Sequence, residues 1–139
     1  MIILDTNVLS ELMRPAPAAS VIRWVAVQPA TSIYTTSITQ AEIFHGIMLL
    51  PTGRRRIALE AAAKALFDQD FGGRVLPFGS DAALPYARIA AERRRTGRPI
   101  SQFDAQIAAI AHSAGASIAT RNVADYVATG VKIINPWDY

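Results

Sequence analysis

With 139 residues, 51% of them hydrophobic and 18% charged, the chain is too apolar for a disordered protein and fits one domain over residues 1–139. It has no cysteine, which excludes disulfides, thiolate metal sites and a cysteine nucleophile and suits a reducing compartment. Fourteen Lys and Arg against 11 Asp and Glu leave a formal charge of +3, a mild basic bias that suits a polyanionic partner such as RNA.

Met1-Ile-Ile-Leu4 runs without alternation into Asp5, which predicts a short strand buried on both faces, as in a parallel sheet covered by helices. Asp5 then stands at the strand's carboxyl end, the end that faces the ligand crevice in open α/β sheets. Asp5, Thr6 and Asn7 read equally as a turn or as the cap of a helix through Met13. Arg14-Pro15-Ala16-Pro17 stops that helix. Val21, Ile22, Trp24 and Val25 form the apolar stripe of a second helix, and Thr31 to Thr36 is short and β-branched enough for a second strand. Thr39 opens a helix through Leu50, with Ile43, Phe44 and Ile47 on one face, and Pro51-Thr52-Gly53 ends it.

Arg54 to Phe71 is predicted as one helix opened by Arg54, Arg55 and Arg56. Cations oppose the positive end of the helix dipole, so a binding role for them gains weight. Arg74 to Pro77 is a minimal strand, and Ser80 or Asp81 caps a helix to Arg95. Its Arg93-Arg94-Arg95 cluster lies at the favourable end, and three successive residues spread over about 200° of a helix, too far to line one groove. Ser101 starts a helix to Ala114 that closes at Gly115. Ala116 to Thr120 and Val131 to Ile134 are the last strands, with a short helical turn between them. The richest apolar stretch, Ile107 to Ala119, is interrupted by His112, Ser113, Gly115 and Ser117, so no membrane span is expected. The opening residues lack the basic region of a signal peptide, and a cytoplasmic protein is expected. Strands alternating with helices predict an α/β fold with a central, mostly parallel sheet and helices on both sides.

Glu42 follows Thr39 by three residues and Asp104 follows Ser101 by three, so both fit a helix-capping box. Asp104 also shares a helical face with Ala108 and Ala111, which turns its carboxylate toward protein, where a charge needs a partner. Three carboxylates meeting at a sheet edge would repel one another until one took up a proton or a divalent cation joined them. Hard oxygen ligands suit Mg²⁺ or Mn²⁺, which can lower the pKa of a water and align it for in-line attack on a phosphodiester.

Four stretches together resemble the PIN-domain family: Met1 to Leu12, Ser37 to Gly46 with the Leu50-to-Arg56 segment, Phe103 to Ala109, and Ala119 to Tyr126. Within it the chain resembles the VapC and FitB-like toxins of bacterial toxin–antitoxin pairs, over essentially its whole length. The resemblance implies a three-layer α/β/α sandwich and a Mg²⁺- or Mn²⁺-dependent endoribonuclease. Asp5, Glu42 and Asp104 match the family's metal-binding acids. A fourth polar or acidic position falls on Asn122, with Asp125 one turn on; an asparagine adds no charge and implies weak binding of any second metal. Thr6, Asn7 and Thr120 are supporting residues, and Arg54, Arg55, Arg56 and Arg121 are expected to grip the RNA backbone. The resemblance further implies a homodimer held inactive by a cognate antitoxin protein, and the apolar helices around Trp24 and Ile47 leave room for a dimer face. An alternative is a non-catalytic RNA- or antitoxin-binding module with a degenerate metal site, which Asn122 alone favours.

Two other carboxylate enzymes fit less well. An aspartyl-phosphate phosphatase wants an acid where Asn7 stands, and a receiver domain wants an adjacent acidic pair and a late lysine that neither Lys64 nor Lys132 supplies. His45 and His112 lie alone in helices, and the nucleophile-elbow, Walker and dinucleotide patterns are absent.

Overall fold

The computed structural model describes residues 1–139. Five short strands, β1 (Ile2–Leu4), β2 (Ile33–Thr36), β3 (Val75–Leu76), β4 (Ser117–Ala119) and β5 (Ile133–Ile134), form one wholly parallel sheet in the order β3-β2-β1-β4-β5. Six helices cover it: α1 (Thr6–Leu12), α2 (Ala19–Ala26), α3 (Ser37–Met48), α4 (Arg54–Ala65), α5 (Ala83–Arg95) and α6 (Gln102–Ala114). Strand pleating sends Ile3 and Leu4 to opposite faces, and each anchors a separate core. Leu4 packs with Val8, Val21, Trp24, Ile43 and Phe67 from α1 to α4 and the turn after them, whereas Ile3 packs with Ile89, Ile107, Ala108 and Ile118 on the side of α5 and α6. The expected three-layer sandwich is therefore the observed one. No helix is long and apolar enough to cross a membrane.

The sheet order carries the functional consequence. The chain builds outward from β1 to β2 and β3, then crosses back to place β4 on the other side of β1. Connections leave the carboxyl ends of β1 and β4 in different directions, which opens a crevice there. Leu4 pairs with Ala119, so the residues that follow, Asp5 and Thr120, emerge side by side.

Several local expectations need correction. Trp24 and Ile47 themselves are 5% and 6% exposed and belong to the core beside Leu4, so a dimer face on these helices falls to their exposed apolar neighbours Ile22, Val27, Met48 and Leu49. The helix expected to open at Thr39 begins at Ser37, because the Thr36 hydroxyl accepts the Thr39 N–H at 3.1 Å and caps it. The single helix expected to Phe71 ends at Ala65 and widens into a π-type turn over Leu66–Asp70 that inserts Phe67 into the core. Neither Ser80 nor Asp81 caps α5; they form a short 3₁₀ turn, and Asp81 instead accepts a hydrogen bond from the Ser113 hydroxyl. Gly115 ends α6 with a φ of 64°, the left-handed conformation that glycine adopts without strain.

The second arginine cluster separates by helical phase. Arg93 is buried: its guanidinium donates to the carbonyls of Arg98 at 2.6 Å, Asp125 at 2.7 Å and Val127 at 2.9 Å. It ties the end of α5 to the segment that follows β4. Arg94 and Arg95 are exposed, and Arg95 pairs with Glu92.

Candidate active site

Asp5 caps α1. Its Oδ1 accepts the Thr6 N–H at 2.8 Å, and its Oδ2 accepts the Thr120 hydroxyl at 2.9 Å and the Asn7 amide at 3.4 Å. One oxygen thus caps the helix while the other is held by side chains from α1 and from the segment after β4. Thr120 also accepts from the Asn7 amide at 3.0 Å and the Asn122 N–H at 3.1 Å, so its remaining capacity, the O–H, is directed at Asp5. The Asn7 carbonyl oxygen accepts the Arg121 N–H at 3.1 Å, which locks the segment after β4 onto the start of α1.

Glu42 and Asp104 reach the same crevice from α3 and α6. The Thr6 hydroxyl donates to Glu42 at 2.9 Å, and the Tyr126 hydroxyl donates to Asp104 at 3.2 Å. Glu42 lies one turn too deep to serve as a capping-box partner, since Thr36 holds the cap. Ser101 does cap α6, accepting the Asp104 N–H at 3.2 Å, which leaves the Asp104 carboxylate free for the crevice.

No lysine, arginine or histidine pairs with Asp5, Glu42 or Asp104. Burial raises all three pKa values above the ordinary carboxylate range, and their mutual repulsion adds to it: Asp104 acts on Asp5, and both act on Glu42, while Asp125 acts on Asp104. The hydroxyl and N–H donors oppose this rise without cancelling it. Tyr126, buried against Asp5 and Asp104, has its phenol pKa raised by burial first and by those two charges second, so it remains a donor.

These acids line an open cavity of about 510 Å³ together with Thr6, Asn7, Arg121, Asn122 and Asp125. The cavity thus brings together most of the residues expected from the sequence; Thr120 stands behind Asp5, within hydrogen-bond reach. Arg54 to Arg56 lie elsewhere. Arg55 lines an adjoining groove that shares Thr6, Ser10, Arg14 and Glu42 with the cavity, Arg56 donates to the Met48 sulfur, and Arg54 is exposed at the start of α4. Sequence reasoning missed Ser10, Glu11, Arg14 and Trp137 in the lining, and Tyr126 behind it. Asn7, Ser10, Glu11 and Arg14 recur at i, i+3, i+4 and i+7, a polar helical stripe that was visible in the sequence. Glu11 is buried at the rim, accepts the Ala18 N–H at 2.9 Å and pairs with Arg14; the Ala18 bond, outweighing burial, holds its pKa below the ordinary value.

The donor set suits a hard divalent cation: several carboxylate oxygens, a side-chain amide, no sulfur, and no cationic side chain paired with Asp5, Glu42 or Asp104. No three acids or histidines sit close enough to hold an ion by themselves. An ion held here would need water to complete its shell, which Mg²⁺ and Mn²⁺ commonly retain.

The PIN domain family matches residues 2–124, which include Asp5, Glu42, Asp104 and Asn122. The chain belongs to the PIN-domain family. This PIN domain is 38% identical to the VapC ribonuclease Y4jK of Sinorhizobium fredii over 138 residues, covering 99% of each chain. It is 36% identical to the toxin FitB of Neisseria gonorrhoeae over 137 residues, again 99% of each. The crystal structure of FitAcB from Neisseria gonorrhoeae superposes with a TM-score of 0.93 at 35% identity, covering all of both chains. The parallel sheet and its covering helices are those of that structure.

Proposed function

We propose that this PIN domain is a Mg²⁺- or Mn²⁺-dependent endoribonuclease and the toxin half of a toxin–antitoxin pair. The observation that carries this reading is the convergence of Asp5, Glu42 and Asp104, all without a cationic partner and all with raised pKa values, in one open cavity at the carboxyl end of the sheet. Relatives named as a ribonuclease and a toxin, similar over the full chain, support the same reading.

In this reading Asp5, Glu42 and Asp104 hold the ion, some of them through water, with Asn122 and Asp125 at the outer edge. When bound, such an ion lowers the pKa of an attacking water and stabilises charge on the leaving oxygen. The chain's own residues orient the acids: Thr120 and Asn7 fix Asp5, Thr6 fixes Glu42, and Tyr126 fixes Asp104. Arg121 and Arg14 in the cavity, with Arg55 in the adjoining groove, supply positive charge toward the phosphates on either side of the cut. The partners in this reading are an antitoxin protein, as in the FitAcB complex, and a second copy of the chain.

The test is cleavage of a panel of structured RNAs in Mn²⁺ or Mg²⁺ by the wild type and by Asp5→Asn purified identically. Discrete cuts that disappear with EDTA and in the variant support the nuclease. Mn²⁺ binding by calorimetry without any cut on the panel would favour the non-catalytic alternative that Asn122 suggests. Neither binding nor cleavage would return the acids to structural roles.

A further inference from the structure

The acidic cavity has one apolar wall, and that wall is aromatic. Trp137 is its single hydrophobic lining residue, and the guanidinium carbon of Arg121 lies 5.1 Å from the centre of the indole ring. Both residues are held from behind. The Arg121 backbone is tied to Asn7, the Trp137 N–H donates to the Asn135 side chain at 3.0 Å, and the indole packs against the core beside Leu4. Arg121 is exposed and makes no ion pair, although Glu11, Asp125 and the site acids line the same cavity.

We propose that Arg121 and Trp137 form a stacking platform for an unpaired nucleobase next to the phosphodiester that is cut. The proposal rests on the ribonuclease reading and adds a specificity subsite to it. A cavity lined by carboxylates repels a phosphate backbone, so affinity there must come partly from contacts that carry no net charge. A nucleobase supplies one. Unstacked bases of single-stranded RNA are held on aromatic rings and on guanidinium planes, and the face of any base can do this. The indole beneath Arg121 holds its planar group at the cavity edge, where a base can lie against it. The subsite therefore selects single-stranded over paired RNA at the position it occupies.

The test measures binding in EDTA, where no cut occurs, using a fluorescently labelled single-stranded RNA hexamer and a ribose-phosphate hexamer that lacks the bases. The wild type should bind the base-bearing hexamer about tenfold or more tightly than the baseless one. Trp137→Leu should remove that preference while leaving the weak binding of the baseless hexamer in place, and Arg121→Lys should bring the two hexamers to equal affinity. Arg121→Lys keeps the charge and lies on the surface, so it reports on the plane even if Trp137→Leu perturbs the carboxyl-terminal turn. The chain has two tryptophans, and Trp24 is in the core, so quenching of emission by the base-bearing hexamer should vanish in Trp137→Leu. Equal binding of the two hexamers by the wild type, or an Arg121→Lys variant that retains the preference, overturns the platform while RNA cleavage by the wild type leaves the nuclease standing. Failure of the wild type to bind either hexamer, together with no cleavage, overturns both.

Discussion

Asp104→Asn separates the chemistry of the acid cluster from its contribution to stability. The asparagine is nearly isosteric and its carbonyl oxygen still accepts from the Tyr126 hydroxyl, so packing is preserved. The charge is lost. Asp104 carries a raised pKa in the folded protein, first through burial and then through the Asp125 charge, so the folded state binds its proton more tightly than the unfolded chain does. Between the ordinary aspartate range and that raised value, stability therefore falls as pH rises. Each pH unit of displacement is worth about 1.4 kcal/mol. Because Asp104 is half-buried, solvent screens part of this. The metal-free variant should therefore melt above the metal-free wild type at pH 7, by about 3 °C for each kcal/mol of relief in a chain of this length. Near pH 4 the two should converge. Adding Mn²⁺ should reverse the order: an ion at 100 times its dissociation constant stabilises by about 2.7 kcal/mol, or roughly 8 °C, and the variant should receive little of this. Thermal melts by circular dichroism at pH 4, 5, 6 and 7, with EDTA and with Mn²⁺, measure all of it. Identical melts for the two proteins in EDTA at pH 7, with equal Mn²⁺ shifts, would refute the argument that these acids are an uncompensated cluster awaiting a cation.

Tyr126→Phe removes only the hydroxyl that orients Asp104, so its melting temperature should stay within about 2 °C while Mn²⁺ affinity and the cleavage rate each fall roughly 10- to 100-fold, as for other groups that orient a ligand; unchanged calorimetric affinity would count against that role. Asn122→Asp adds a sixth carboxylate to the cavity, which should tighten Mn²⁺ binding about tenfold and lower the metal-free melting temperature by a few degrees; the same titrations and melts check both. Arg93→Met leaves the carbonyls of Arg98, Asp125 and Val127 without their donor, a loss of about 1 kcal/mol each and a fall of roughly 9 °C by thermal melt.

The layers of the fold were legible because they are local: an uninterrupted apolar run marks Ile2–Leu4 as a buried strand, and Gly115 and Ser101 mark helix ends. The site was legible only in part. That Asp5 meets Thr120 depends on the pairing of strands more than a hundred residues apart, which no local pattern encodes. The capping box at Thr39 and Glu42 has the right spacing but competes with Thr36, three residues upstream, and the winner is set by where β2 ends. In Arg93-Arg94-Arg95 three identical side chains have different fates, since only the helical phase of Arg93 aims it at the carbonyls behind Tyr126. Tyr126 itself looks like a core aromatic, as it is; its hydroxyl becomes meaningful only once α6 brings Asp104 to it.

The choice of donors around the acids explains how the cluster is held together without being satisfied. Each carboxylate is oriented by a hydroxyl from a different element: Asp5 after β1 by Thr120 after β4, Glu42 on α3 by Thr6 on α1, and Asp104 on α6 by Tyr126 in the turn after β4. An arginine or lysine in any of these places would bond the carboxylate more strongly, but it would also neutralise it and pull its pKa down. A hydroxyl fixes direction and leaves the charge. The cationic groups nearby are diverted accordingly, Arg14 to Glu11, Arg121 to Trp137 and Arg93 to backbone carbonyls. The positive charge needed to balance Asp5, Glu42 and Asp104 is therefore withheld by the fold itself, and because the orienting donors come from several elements, loosening any one of them should be felt at the acid it orients before it is felt in the core.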